Sequence, residues 1–408
     1  MTSDTAPLPT SDPGRLPSRW RQAPAFLAVL WTGAVVAATM QQGVSHPNNN
    51  FSIFRAAARH LVDGADLYAA YPALHSDLFK YSPTFALLFL PLALLPFAFA
   101  MLCWNVLNAG LLWLAIGRVL RPRGATVARA IVFMDMLGSL QNAQSNALVA
   151  ALIILAFAGF EEGHESRATA LVSIGTSIKL FPLAAATFAV FHGRLLRVAI
   201  AGVLCAALLV ALPLLVTSPH LLAAQYASWR AVESADTLER GFTVMQLLEL
   251  AFRHDWPSWP IQLVGVITLV APLLARRHRW PDRGFRLVFL CSVLVFCVLF
   301  NHQSESPTFV IAVSGAAIWF ATRVRWTRAT WALFAFVVTC TILASSDAMP
   351  HAIQRALFDR YHFKTVPMLV LWLVLQRELW RSRTPASAQL REGGELHVTP
   401  GEPLAHLG

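Results

Sequence analysis

Between Arg167 and Arg194 the chain reads ATALVSIGTSIKLFPLAAATFAVF (168–191), about 24 apolar residues interrupted only by Lys179 and Pro182. A bilayer core of about 30 Å takes roughly 20 apolar residues of helix, so the block is long enough to cross once. The flanking arginines oppose a single crossing, because short basic gaps collect on the cytoplasmic side. Both ends therefore belong to one side, and the block predicts a hairpin of two short helices meeting near Lys179 and Pro182. Eleven or twelve helical residues rise about 17 Å. The turn then falls inside the bilayer, where non-helical backbone is tolerated only beside protein or a wet cavity.

The same parity runs outward along the chain. Arg15, Arg19 and Arg21, Arg118 to Arg123, Arg276 to Arg286, Arg323 to Arg328 and Arg377 to Arg391 fall in one set of gaps. The opposite gaps, Gly43 to Pro96, Gln141 to Asn146, Thr217 to Trp259, Asn301 to Ser306 and Ser345 to Thr365, hold few cations and read as external. Ala125 to Phe160 reads as a hairpin too, the first of the two in chain order, with Gln141-Asn142-Ala143-Gln144-Ser145-Asn146 at its tip. Ala25 to Met40, Phe97 to Leu120, Val198 to Val216 and Ile261 to Leu274 read as full crossings or their cores. Hydrophobic residues are 56% of the 408 and charged ones 13%, about half the roughly 25% of a soluble domain, which excludes a water-soluble fold. The expectation is an all-α integral membrane protein of about a dozen transmembrane or partly spanning helices. It has a long first external loop and both termini in the cytoplasm, with residues 1–24 and 381–408 as disordered tails around a membrane domain over 25–380. The first segment lacks a small-residue cleavage site and reads as a retained helix.

The formal charge of +10 follows this topology and gives no sign of nucleic acid as a partner. Cys103, Cys205, Cys291, Cys297 and Cys340 all lie in apolar segments and read as small buried hydrophobes. No HExxH, CxxC, Asp-x-Asp, Walker loop or GxGxxG occurs, so the sequence implies no metal, cofactor or nucleotide.

Chemistry-bearing residues gather in the first external loop: Asn48 to Arg55, an amphipathic helix through His60, then Asp63-Gly64-Ala65-Asp66-Leu67-Tyr68 and Asp77-Leu78-Phe79-Lys80-Tyr81-Ser82-Pro83. Ordered loops of this length carry function. Turn signals at Asp63-Gly64 and Ser82-Pro83 fit a solvated cap equally well.

Five motifs in order and a sixth at the second hairpin resemble glycosyltransferase family 87. They are Phe-x-x-Phe-Arg-x-Ala from Phe51, Asp-Gly-Ala-Asp-Leu-Tyr from Asp63, Lys-Tyr-Ser-Pro-Thr-Phe-Ala-Leu-Leu-Phe-Leu-Pro-Leu from Lys80, Trp-Asn-Val-Leu-Asn from Trp104, Gln-Asn-Ala-Gln-Ser-Asn from Gln141 and Ile-Lys-Leu-Phe-Pro from Ile178. The likeness runs from about Asn50 to Val190 and more loosely to about Arg377. It implies a GT-C class fold and a membrane enzyme that takes a hexose, such as mannose, from a polyprenyl-phosphate donor to a lipid or glycan acceptor at the external face of the cytoplasmic (inner) membrane. Many members carry an aspartate, regarded as the general base, where this chain has Asn50. An amide is not a general base, so another acid serves, the reaction differs, or the chain is catalytically silent.

A lipid-phosphate donor requires a base for the acceptor hydroxyl and cations for the departing phosphate. Candidate carboxylates are Glu305, Asp77 and Asp135. Glu305 is a replacement base or a helix N-terminal stabiliser, and Asp135 either lines the cavity or pairs with Arg129. Candidate phosphate contacts are Lys179, Lys80 and Arg55. An ammonium inside an apolar hairpin marks a site or snorkels to the external headgroups. Candidate substrate contacts are Asn50, Tyr81, His302, Gln141, Asn142 and Asn146, with Gln144 and Ser145 beside them; the tip amides bind sugar hydroxyls or satisfy backbone at a turn. Rival readings are a transporter or flippase of a lipid-linked glycan, whose helices are also broken, and a non-catalytic family member.

Overall fold

The computed structural model describes residues 18–45, 48–236, 240–323, 325–345 and 362–381. Most of the two tails, and His46 and Pro47 of the first loop, lie outside the described residues. The first helix, α1 (Ser18–Met40), begins within the stretch assigned to the N-terminal tail.

The described residues are helical, with one isolated backbone bridge between Gly241 and Ser304. Among the described residues four helices are long and apolar enough to cross a membrane: Gln22–Ser45, Phe97–Val119, Leu195–Leu215 and Ser258–Ala275. They coincide with the four crossings read from the sequence. Shorter apolar helices, among them Asn146–Glu161 and Phe181–His192, accompany them.

The first loop folds as its patterning predicts. Asn48 caps α2 (Asn49–Asp63) by accepting from the Phe51 amide, and Gly64, at φ +73°, ends it with its own amide on the His60 carbonyl. Phe51, Phe54, Ala58 and Leu61 share the buried face. Phe54 meets Tyr81 and Phe85 edge-on, with ring centroids 5.0 and 5.2 Å apart. This aromatic cluster fixes the loop on α3 (Pro83–Ala93) and on Trp104 of α4 (Phe97–Val119).

Both expected hairpins form. The tip of α5 (Pro122–Gln141) and α6 (Asn146–Glu161) is turned by Ala143 in the left-handed region. In the second hairpin α7 (Glu165–Ile178) stops at Lys179, which is extended, and a 3-10 helix, Phe181–His192, returns. Gly175 lets the two arms close, since a Cβ there would lie 3.1 Å from Pro182.

α8 (Leu195–Ala211) packs on α7 and has no buried residue. α9 (Pro219–Asp236), α10 (Val244–Phe252) and α11 (Ser258–Ala275) follow. The interior is built from α6, α12 (Arg283–Leu299) and α13 (Phe309–Ala321), buried on nearly every side and correspondingly apolar all round. After α14 (Arg328–Val337), α15 (Thr365–Trp380) packs on α12.

Candidate functional site

Six separate parts of the chain meet around one polar cavity of about 110 Å³. The N-terminal turn of α2 brings Asn50, and the loop before α3 brings Asp77, Lys80 and Tyr81. The α5–α6 tip contributes Gln144, the turn of the second hairpin Lys179, and the junction before α13 His302 and Glu305. These are residues from every external gap that the sequence marked as chemically rich up to that junction. α9 adds Trp229 and Glu233.

A line of contacts joins cation to carboxylate along this cavity, its first step a ring contact and the rest hydrogen bonds. Lys179 donates to Asn146 Oδ1 at 2.8 Å, and its ammonium stands 5.6 Å from the Tyr81 ring centre. Tyr81 donates its hydroxyl to Gln144 Oε1 at 3.3 Å, and Gln144 Nε2 donates to Glu305 Oε2 at 3.0 Å. Only one amide orientation of Gln144 suits these partners, because a carboxylate accepts and cannot donate. Glu305 precedes the short 3-10 helix Ser306–Thr308 and makes no side-chain cap to it. Its side chain lines the cavity and accepts from Gln144.

The other carboxylates differ. Asp77 lines the cavity, but its Oδ1 accepts from the amide of Leu78 at 2.7 Å. Asp135 lies outside the lining and pairs with Lys364, 3.5 Å away, which corrects the expected partner Arg129. Arg129 instead donates to the Trp113 carbonyl and stacks 3.9 Å from the Trp113 ring centre.

Arg55 also lies outside the lining, donating to the Leu95 carbonyl at 2.9 Å above Phe97. Burial, then the neighbouring Arg59, lowers its pKa from the ordinary value. Gln141 is bonded to Gln41 and, through its carbonyl, to Asn48; the Asn142 carbonyl accepts from Asn50 at 2.9 Å. Asn48 and Asn50 thus hold the first loop to backbone carbonyls of the tip. Asn146 acts through Lys179, so Asn50 and Gln144 are the two amides of the expected set that line the cavity.

Trp229 and Glu233 went unassigned in the sequence, where α9 carried no motif. Glu233 Oε2 is 3.7 Å from His302 Nε2, and the Trp229 indole donates to the Lys80 carbonyl at 3.3 Å. The only advance signal was their four-residue spacing in an external gap.

A second cavity, about 640 Å³ and almost wholly apolar, lies between α7, the returning 3-10 helix, α8 and α9. Leu180 and Trp229 line both cavities, so the apolar one abuts the polar one. Among the described residues no three His, Cys, Asp or Glu side chains converge as metal ligands.

Apolar helices long enough to cross a membrane, around a polar cavity flanked by an apolar groove, define a membrane protein. The chain belongs to glycosyltransferase family 87, whose family model matches residues 79–301, more than half of the sequence. No curated protein matches the chain.

Proposed function

We propose that this protein is an inverting hexosyltransferase that draws its sugar from a polyprenyl phosphate and passes it to a lipid or glycan hydroxyl at the external face of the cytoplasmic membrane, with both termini inside. The observation that carries this reading is the juncture of the two cavities. An isoprenoid chain suits the apolar groove, and its phosphate then arrives at Leu180 and Trp229, beside Lys179 and Lys80. Phosphate and sugar occupy the polar cavity.

The carboxylate of Glu305 stands at the far end of the Tyr81–Gln144 line from the lysine. That separation suits displacement at the anomeric carbon. The acceptor oxygen bonds to C1 as its proton passes to Glu305, while the C1–O bond to phosphate breaks and polyprenyl phosphate leaves with the electron pair. Lys179 neutralises the leaving oxyanion. Gln144, bonded to both Tyr81 and Glu305, keeps the base oriented. Asn50 and Asp77 face the same space as sugar contacts, and His302 supports Glu233.

Purified protein supplied with a radiolabelled polyprenyl-phosphate hexose and a membrane-lipid extract should transfer label to an extracted acceptor and release polyprenyl phosphate. Label that merely changes leaflet in proteoliposomes, without a new glycosidic bond, would assign the chain to transport.

A further inference from the structure

We propose that Trp229 and Glu233 of α9 form the wall that recognises the donor's hexose, and that this wall turns away an anionic sugar. This rests on the lipid-phosphate reading above and adds to it the part of the donor that differs between enzymes of one class.

Residues three and seven apart fall on one helical face. On α9 that face carries Tyr226, Trp229 and Glu233. Tyr226 lines only the apolar groove, Trp229 lines both cavities and Glu233 lines only the polar one. A single face thus follows the donor from tail to head. Four residues of helix rise about 6 Å, roughly the length of a pyranose ring. A sugar whose phosphate sits at the Trp229 border therefore reaches Glu233 with its far hydroxyls.

Trp229 is held in place by its indole bond to the Lys80 carbonyl, so its ring is a fixed apolar surface for the C–H face of a sugar. Glu233, placed 3.7 Å from His302 and partly open to the cavity, offers oxygens that accept from a pair of hydroxyls. Lys80 and Lys179 serve the phosphate at the other end. Glu305 and Asp77 share the cavity with Glu233, and three carboxylates around one small space repel a uronic acid or a phosphosugar. Neutral hydroxyls match it.

The test uses full-length protein in detergent and short soluble probes: citronellyl phosphate, its mannosyl, glucosyl and galactosyl diesters, and the glucuronyl diester. At least one neutral hexosyl probe should bind about tenfold or more tighter than citronellyl phosphate, and the glucuronyl probe should not. Glu233→Gln should remove that increment while leaving citronellyl phosphate affinity within twofold, and Trp229→Phe should retain most of it where Trp229→Ala does not. An increment unchanged in Glu233→Gln, equal loss of both kinds of probe, or no hexosyl probe better than the bare phosphate would overturn the assignment. Failure of citronellyl phosphate to bind wild-type protein, or binding indifferent to Lys179→Gln, would instead bring down the lipid-phosphate reading beneath it.

Discussion

Asp135 and Lys364, 229 positions apart, form an ion pair in the protein interior: Oδ1 and Nζ are 3.5 Å apart, and the side chains are 4% and 2% exposed. The same ammonium donates to the carbonyl and hydroxyl of Ser306, at 3.2 and 3.0 Å, and stands over the Phe309 ring. It ties the start of α15 to the residue that follows Glu305.

Removing one partner leaves the other charge buried without compensation, which costs about 3–5 kcal/mol, whereas replacing both with apolar residues is often close to neutral. Lys364→Met should therefore lower the unfolding temperature sharply in detergent, and Asp135→Leu with Lys364→Met should recover most of it. A double variant as unstable as the single would show that the ammonium's bonds to Ser306 dominate.

Lys179→Gln should weaken binding of a polyprenyl phosphate tenfold or more, since a hydrogen bond to a charged group contributes about 1.5–3 kcal/mol. Titration of the folded variant with lipid phosphate checks this. Unchanged affinity would assign the lysine to holding Asn146 alone.

Glu305→Gln should lower turnover about 100-fold, within the range for a lost general base, with donor binding retained. Asp77→Asn should cost less, because its carboxylate is engaged by the Leu78 amide. A wild type without transfer activity that gains it on Asn50→Asp would make the natural chain a protein that has lost its base.

The arginine parity predicts that cysteines introduced between Asn48 and Lys80, or between Asn301 and Ser306, react with an impermeant reagent from outside the cell. Those placed between Arg276 and Arg286 should react only after permeabilisation. The reverse pattern would invert the whole topology.

Gly241, at φ +57°, lies against the Ser304 carbonyl, where a Cβ would collide with the oxygen. Gly241→Ala should therefore displace the backbone next to Glu305 and reduce turnover with little effect on binding of lipid phosphate. Equal kcat in variant and wild type would separate this contact from the placement of Glu305.

The sequence made legible what depends on charge and hydropathy order. Lys179 could be placed at a hairpin turn because Arg167 and Arg194 demanded one side, and Glu305 stood out as an acid in a polar external junction. Partnerships between distant segments were not legible: Asp135 had Arg129 as a local suitor, and nothing local points to Lys364. Trp229 and Glu233 were hidden for a related reason. A face of α9 acquires meaning only when the helix is docked beside the two cavities, and no motif records that docking. The tip amides were ambiguous because sugar binding and turn closure call for the same side chains; only Gln144 of the tip proper reaches the cavity.

α8 has no buried residue, yet Leu195, Val198, Gly202, Ala206 and Leu209 form the outer wall of the apolar groove. On its other side Leu196, Ile200, Leu204 and Leu208 are 53–75% exposed. Among the described residues nothing stands behind this wall, and in a membrane the acyl chains of neighbouring lipids take that place. The surrounding lipids thus act as structural components of the groove, and its width follows their lateral pressure and chain length. On the proposed lipid-phosphate donor, an isoprenoid would enter by exchanging one hydrocarbon neighbour for another, without passing through water, and the apparent affinity for that donor would be a joint property of the polypeptide and the membrane that holds it.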